Sequence, residues 1–250
     1  MDLWDAFDLT AGSIVAAVGG GGKTSLVYAL AREAAGRGYS AVVTTTTRFT
    51  RPKGMEMPMV VEASAAEVAG RLEGTLEPGR IVVAISGTGS QRRLVGYDDA
   101  GIASIARLKP GLLAVEADGS GRLPFKAPAE HEPVIPSATT HVVVCVGLEV
   151  LGRALTEEFV HRPDLVGGLA EVGQGEPVGP GVVTRVLLHP EGGKKRVPPG
   201  ARLCALLNNP PTEEHERLGV HIAQRLVYGG YHVAVVACAH RPGDIRAVMK

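Results

Sequence analysis

Aromatic side chains are scarce in this 250-residue sequence: four Phe, five Tyr and one Trp, 4% in all. A core with so few large rings has to be filled by Val, Leu, Ala and Ile, which suits buried parallel strands crossed by helices. Neither sign of charge is in excess, since 26 Lys and Arg balance 26 Asp and Glu. That balance leaves no electrostatic footprint for nucleic acid or an anionic membrane surface. No apolar run approaches the length of a membrane span. The amino terminus, M-D-L-W-D-A-F-D, lacks a basic segment with an apolar one behind it, so we expect no secretory signal and a cytoplasmic chain. Cysteine is limited to Cys145, Cys204 and Cys238, far apart and each at or just after an apolar run. They read as buried small hydrophobes in a reducing compartment, with metal ligation the lesser alternative.

Glycine is abundant, 33 residues, and four stand together near the start. The stretch from Ser13 to Leu30 reads S-I-V-A-A-V-G-G-G-G-K-T-S-L-V-Y-A-L. Its apolar run predicts a buried strand, and apolar residues at helical spacing resume after Lys23. Strand, glycine turn and helix together form a phosphate loop. Gly19, Gly20, Gly21 and Gly22 let the backbone aim its N–H groups at one anion, and the helix start adds its own unpaired N–H groups. Lys23 would reach the outer phosphates, and the Thr24 hydroxyl, with Ser25 beside it, would serve the nucleotide and its Mg²⁺. Only the short G-x-x-G-K-T form is present, because Ala17 stands where the longer pattern needs glycine.

Along the rest of the chain, strands are predicted at 39–43, 59–61, 81–85, 112–115, 141–146, 202–207 and 232–237. Helices are predicted at 23–37, at 65–72 with Ser64 and Glu67 as a capping box, from Asp98 or Asp99 to 108, at 164–172, at 182–188, and at 213–226 behind Thr212. Loops are expected at 51–59 and at 86–93, the latter a lid or a plain surface turn. The expected fold class is α/β, P-loop NTPase-like, a mainly parallel sheet with helices on both faces. One domain is expected over 1–250, with a helical or irregular insertion around 147–199.

A nucleotide enzyme with Mg²⁺ needs a carboxylate at the end of a strand beside the phosphate-loop strand. Glu116 and Asp118 close the run L-L-A-V-E-A-D, and period-two alternation points both to one side. Either could hold Mg²⁺ while the other acts as base or binds substrate. A solvated strand-to-loop turn would explain them too. The Thr44–Thr47 run with Arg48 suits either a strand edge or a ligand site at the carboxyl edge of the sheet. The proline-stiffened stretch L-P-F-K-A-P-A-E-H-E-P displays Lys126, His131 and Glu132 nearby as substrate-binding candidates. Asn208 ends a strand where GTP-binding domains read guanine. Asn209 and Pro211 depart from that pattern, so guanine specificity is not supported, and an asparagine turn explains the residues equally well.

Taken together, A-V-G-G-G-G-K-T-S, V-T-T-T-T-R-F, E-A-D-G-S-G-R-L-P-F-K-A-P-A-E-H-E-P-V-I-P and C-V-G-L-E-V-L-G resemble the YqeC-type selenium-dependent hydroxylase accessory proteins. V-H-R-P at 160–163, L-L-H-P-E-G at 187–192 and L-L-N-N at 206–209 extend the likeness over nearly the whole chain. The resemblance implies a cytoplasmic P-loop protein that assists maturation of molybdenum hydroxylases carrying labile selenium. The nucleotide half is also similar to Mur-type amide ligases, which lends Thr44–Thr47, Thr45 among them, and Glu116 a metal role.

The expected activity is a Mg²⁺-dependent reaction of a nucleoside triphosphate, ATP favoured and GTP or CTP possible, with Lys23, Glu116 and Asp118 as catalytic residues. Thr24, Thr45, Glu116 and Asp118 are the metal candidates. The acceptor would be a small anion or the molybdenum cofactor, with a hydroxylase as partner protein and neither nucleic acid nor membrane. The alternatives are a nucleotide-switched insertion chaperone, with 48–59 or 147–199 changing order, a passive cofactor binder, or a Mur-like ligase.

Overall fold

Short runs of Val, Ile, Leu and Ala, bounded by glycine, proline or capping residues, become strands buried on both faces. The computed structural model describes residues 1–49, 59–89 and 94–250. A short α1 (Leu3–Ala6) leads to β1 (Ser13–Gly19) and, through the glycine turn, to α2 (Lys23–Gly36). Next come β2 (Ala41–Thr45), β3 (Arg48–Phe49), β4 (Met59–Glu62), α3 (Val68–Glu73) and β5 (Ile81–Ile85). They are followed by β6 (Gly87–Thr88), β7 (Leu94–Val95), α4 (Asp99–Arg107), β8 (Leu112–Glu116), β9 (Phe125–Lys126) and β10 (His141–Gly147). A 3-10 helix (Leu148–Val150), β11 (Val160–His161), α5 (Pro163–Ala170) and α6 (Pro180–Leu188) come after β10. The chain closes with β12 (Arg202–Asn208), α7 (Glu213–Tyr228), β13 (Val233–Ala237) and β14 (Ile245–Met249). Of the two expected loops, 51–58 and 90–93 lie outside the described residues.

The main sheet has nine strands in the order β14-β13-β12-β10-β1-β8-β2-β5-β4, parallel except for β14. This is the expected mainly parallel, P-loop NTPase-like α/β architecture. One face is covered by α1 and α2, whose Leu3, Leu26 and Leu30 pack with Val15, Ala17 and Val143. The other face carries α3 and α4 (Leu72, Ile102) at one end and α5 to α7 (Val166, Val183, Ile222) at the other. The helices of the 147–199 region therefore pack in the same apolar cluster as β10 and β12. β8 and β10 flank β1, so the chain leaves β1 into α2 on one face and leaves β8 across the other. A crevice opens outside the carboxyl ends of the strands at such a switch point.

Several boundaries differ from the sequence reading, each for a local reason. Tyr39 stacks on Trp4 with ring centroids 5.6 Å apart, and β2 begins only at Ala41. Ser64 Oγ donates to Glu67 Oε2 at 2.7 Å, which holds 65–67 as a turn and delays α3 to Val68. α5 starts at Pro163 behind Arg162 in the left-handed region (φ 61°), with Asp164 inside its first turn and not at its cap. Neither α1 nor β14 was expected: one is too short for periodicity, and the other is an antiparallel edge strand that is mostly half-buried.

α1 is held by Glu33, whose carboxylate accepts from Leu3 N at 3.2 Å and Trp4 N at 2.7 Å. Burial raises this carboxyl to about 7, against the pull of those amides. A carboxyl raised in the folded state contributes its stability fully below the unfolded pKa and loses it as pH rises through the folded value. The native chain should therefore lose stability relative to Glu33→Gln between about pH 5 and about pH 8. Paired urea unfolding at the two pH values checks this, and a constant difference would refute it.

Candidate functional site

The glycine turn is shaped by its contacts as much as by its own freedom. Gly21 (φ 70°) lies so close to β10 that a Cβ there would sit 2.2 Å from Gly147 N. Gly22 (φ 125°) stands at the N-cap of α2, where a Cβ would meet Asn208 Nδ2 at 2.2 Å. Three of the amides expected to face phosphate are already engaged. Gly19 N donates to Asp118 Oδ2 at 2.9 Å, Gly20 N to Cys145 O at 3.0 Å and Gly21 N to Leu123 O at 3.1 Å. Among the described residues no acceptor pairs with the amides of Gly22, Lys23, Thr24 or Ser25. These four, at the mouth of α2, are the loop amides left open to an anion.

Lys23 is 4% exposed, with Nζ 2.5 Å from Gly19 O and 3.2 Å from Asp118 Oδ1. Burial alone would lower its pKa, but the Asp118 and Glu116 carboxylates hold the ammonium above its ordinary value. Thr24 Oγ1 donates to Glu116 Oε2 at 2.7 Å, so loop and strand carboxylate meet across the site. Burial pushes the Glu116 carboxyl up, against the pull of Lys23 and Thr24. Thr45, fully buried, donates to Glu116 O at 2.7 Å and accepts from Thr47 N at 3.0 Å, so its hydroxyl braces the strand end.

Among the described residues no group of three or more His, Cys, Asp or Glu side chains could hold a metal. A divalent cation here would draw on Thr24 and Glu116 together with phosphate oxygens and water, the way Mg²⁺ is generally held. The oxygen donors present fit that ion.

Asp118 does not stand alone as a candidate base. Its Oδ2 lies 3.1 Å from Lys126 Nζ, which also donates to Glu132 Oε2 and to Gly119 O, each at 2.6 Å. Glu132 in turn receives Arg162 Nη1 at 2.6 Å and Nη2 at 3.3 Å. An alternating chain of charge, Lys23, Asp118, Lys126, Glu132 and Arg162, thus runs from the loop to the start of α5. Burial would raise the Glu132 carboxyl, but Arg162 and Lys126 hold it down at about 2. Lys126 and Glu132, read as substrate-binding candidates, face each other. A cavity of about 20 Å³, room for one water, adjoins Asp118, Lys126 and Lys195 on the face away from α2.

The remaining candidates are spread out. Arg48 is exposed on β3, in the small antiparallel sheet β3-β7-β6. His131 is exposed, and its carbonyl accepts from Arg196 Nη1 at 2.9 Å. Ser25 is half-buried in the first turn of α2. Asn208 donates to Gly21 O at 3.0 Å and accepts from Ala239 N at 2.9 Å, so its carboxamide braces the loop from the side. All three cysteines are free and buried. Arg162 was missed as a site residue, although it lies in the V-H-R-P stretch. A lone arginine before a proline carries no motif chemistry, and its role exists only through Glu132.

A model of the family described as "YqeC protein" matches residues 15–164. The chain is also 29% identical over 197 residues to "Uncharacterized protein YqeC" of Escherichia coli (strain K12), covering 78% of this chain and 75% of that one. No solved structure matches it.

Proposed function

Since the chain belongs to the YqeC family, we propose that it binds a Mg²⁺–nucleoside triphosphate on its glycine loop and hydrolyses it or transfers its phosphoryl group. The step would serve maturation of selenium-dependent molybdenum hydroxylases in the cytoplasm, with a small anion or the molybdenum cofactor as acceptor. The observation that carries the reading is the Thr24–Glu116 contact at 2.7 Å beside buried Lys23, at a helix mouth whose amides have no partner among the described residues. Those amides and Lys23 would neutralise the phosphates, and Thr24 and Glu116 would hold the ion, which supplies charge neutralisation when bound. Among the described residues no helix is long and apolar enough to cross a membrane.

Thermal unfolding with ATP, GTP and CTP, each with and without Mg²⁺, tests this. A ligand at a hundred times its dissociation constant stabilises by roughly 2.7 kcal/mol, or about 5–10 °C for a chain of this size. No shift with any of the three would overturn the reading. Thr24→Val is expected to keep part of the nucleotide shift while losing the increment that Mg²⁺ adds.

The nucleotide-switched chaperone has its own support in the ion-pair chain from Lys23 to Arg162. A phosphate that draws Lys23 away from Asp118 would alter the charge balance as far as α5. Slow hydrolysis accelerated only by a hydroxylase partner favours the switch, whereas a modified small-molecule product favours the enzyme.

A further inference from the structure

Glu149 sits in the 3-10 helix after β10, and its Oε2 is buried without a hydrogen-bond partner among the described residues. Such an atom calls for a ligand or a specific explanation. The carboxylate folds over Gly147, where an added Cβ would lie 2.6 Å from Oε2 and 2.8 Å from Oε1. Gly147 in turn abuts Gly21 of the glycine loop. Glu149 is therefore one residue removed from the glycine loop, on the β10–β12 side, whereas Glu116 and Asp118 stand on the β8 side.

The neighbouring polar groups are committed elsewhere. Both ends of the Asn208 carboxamide are used, and His215 Nδ1 pairs with Thr212 Oγ1 at 2.8 Å. Asn209, in the left-handed region (φ 56°), has its Oδ1 4.0 Å from Cys238 Sγ. Burial pushes the Glu149 carboxyl above its usual range, against the pull of Asn209 and His215.

A nucleotide whose phosphates lie on the amides of Gly22–Ser25 must lead its sugar and base along the crevice at the strand ends. On the β8 side that path meets the Glu116, Lys23 and Asp118 cluster. On the other side lies Gly147, with the Glu149 carboxylate over it. We infer that Glu149 accepts two neighbouring donors from the nucleoside half of the bound nucleotide, either the ribose diol or the imino–amino edge of guanine. A carboxylate with open lone pairs suits both donor pairs. The sequence reading found no base-reading carboxylate, since Pro211 occupies that place. The turn after the adjacent strand, β10, places a carboxylate at that end of the sheet. This inference rests on the nucleotide-binding reading above.

The test is equilibrium binding of the full chain and of Glu149→Gln to Mg²⁺ complexes of ATP, GTP, ITP, the 2′- and 3′-deoxy forms of ATP and GTP, and inorganic tripolyphosphate. Tripolyphosphate reports on the loop alone. The expected result is that the native chain binds at least one nucleotide roughly ten- to a hundredfold more tightly than tripolyphosphate. Glu149→Gln should erase that advantage and leave tripolyphosphate binding as it was. Loss with the deoxy forms assigns the ribose diol, and loss from GTP to ITP assigns the guanine edge. Nucleotides and tripolyphosphate binding alike, or Glu149→Gln binding nucleotides as the native chain does, would overturn the inference and leave the phosphate-loop reading standing. Failure of every ligand to bind would overturn both. Should Glu149→Gln not fold, the analogue series on the native chain decides.

Discussion

Lys23→Ala is expected to abolish the nucleotide-induced rise in unfolding temperature, and turnover with it. The ammonium is buried against Asp118 and Gly19 O, at the edge of the amides that have no partner among the described residues, so a phosphate bound there would come within a side chain's movement of it. Each charge-assisted bond to phosphate is worth roughly 1.5–3 kcal/mol, so losing two weakens binding about a hundred- to ten-thousandfold. The cost to the empty protein is smaller than for an isolated buried pair, because Asp118 keeps Lys126 and Gly19 N. Scanning calorimetry with and without Mg²⁺–ATP separates the two effects. A variant that folds and retains the full shift would remove Lys23 from the site.

The second large effect lies in the charge chain behind the loop. Lys126 has a side chain 1% exposed and stands between Asp118 and Glu132, themselves 2% and 9% exposed. Lys126→Met leaves two buried carboxylates facing each other with only partial compensation from Lys23 and Arg162. Breaking a buried pair in this way costs about 3–5 kcal/mol, which lowers the midpoint by roughly 6–20 °C. Adding Glu132→Gln should restore part of the loss, since one of the two charges is then gone. A carboxyl depressed in the folded state contributes stability above its unfolded pKa and loses it as pH falls through the folded value. The gap between native chain and Lys126→Met should therefore narrow as pH falls from 4.5 toward about 2. Equal midpoints for the two proteins at neutral pH would show that the chain of charges carries no stability.

Particular residues show where the sequence was readable. The strand Ile81–Ile85 and the capped helices behind Asp98 and Thr212 were legible because apolar periodicity and side-chain caps are local signals. Lys23 and Thr24 were legible together because a glycine turn between strand and helix is compact in sequence, whereas Glu116 and Asp118 were legible only as a pair at a strand end. The threonine run was legible only as a place. That Thr45 would spend its hydroxyl on the Glu116 carbonyl depends on β2 pairing with β8, with Thr45 opposite Glu116. Lys126 and Glu132 looked like displayed side chains because the prolines around them suggested a stiff exposed strap. They are buried because Arg162 and Asp118 come to them from distant segments. The antiparallel β14 escaped notice since its half-buried alternation is short and follows an irregular turn.

By itself the sequence determined the α/β class, the buried parallel strands and the glycine loop at the head of a helix. These follow from residue periodicity, chain length between turns and the conformations open to glycine. Only the tertiary structure decided which loop amides remain for an anion, which carboxylate meets Thr24, and that Asp118, Lys126, Glu132 and Arg162 neutralise one another. Those outcomes depend on strand order and register, which bring residues separated by tens of positions within hydrogen-bonding distance. No local pattern encodes that adjacency.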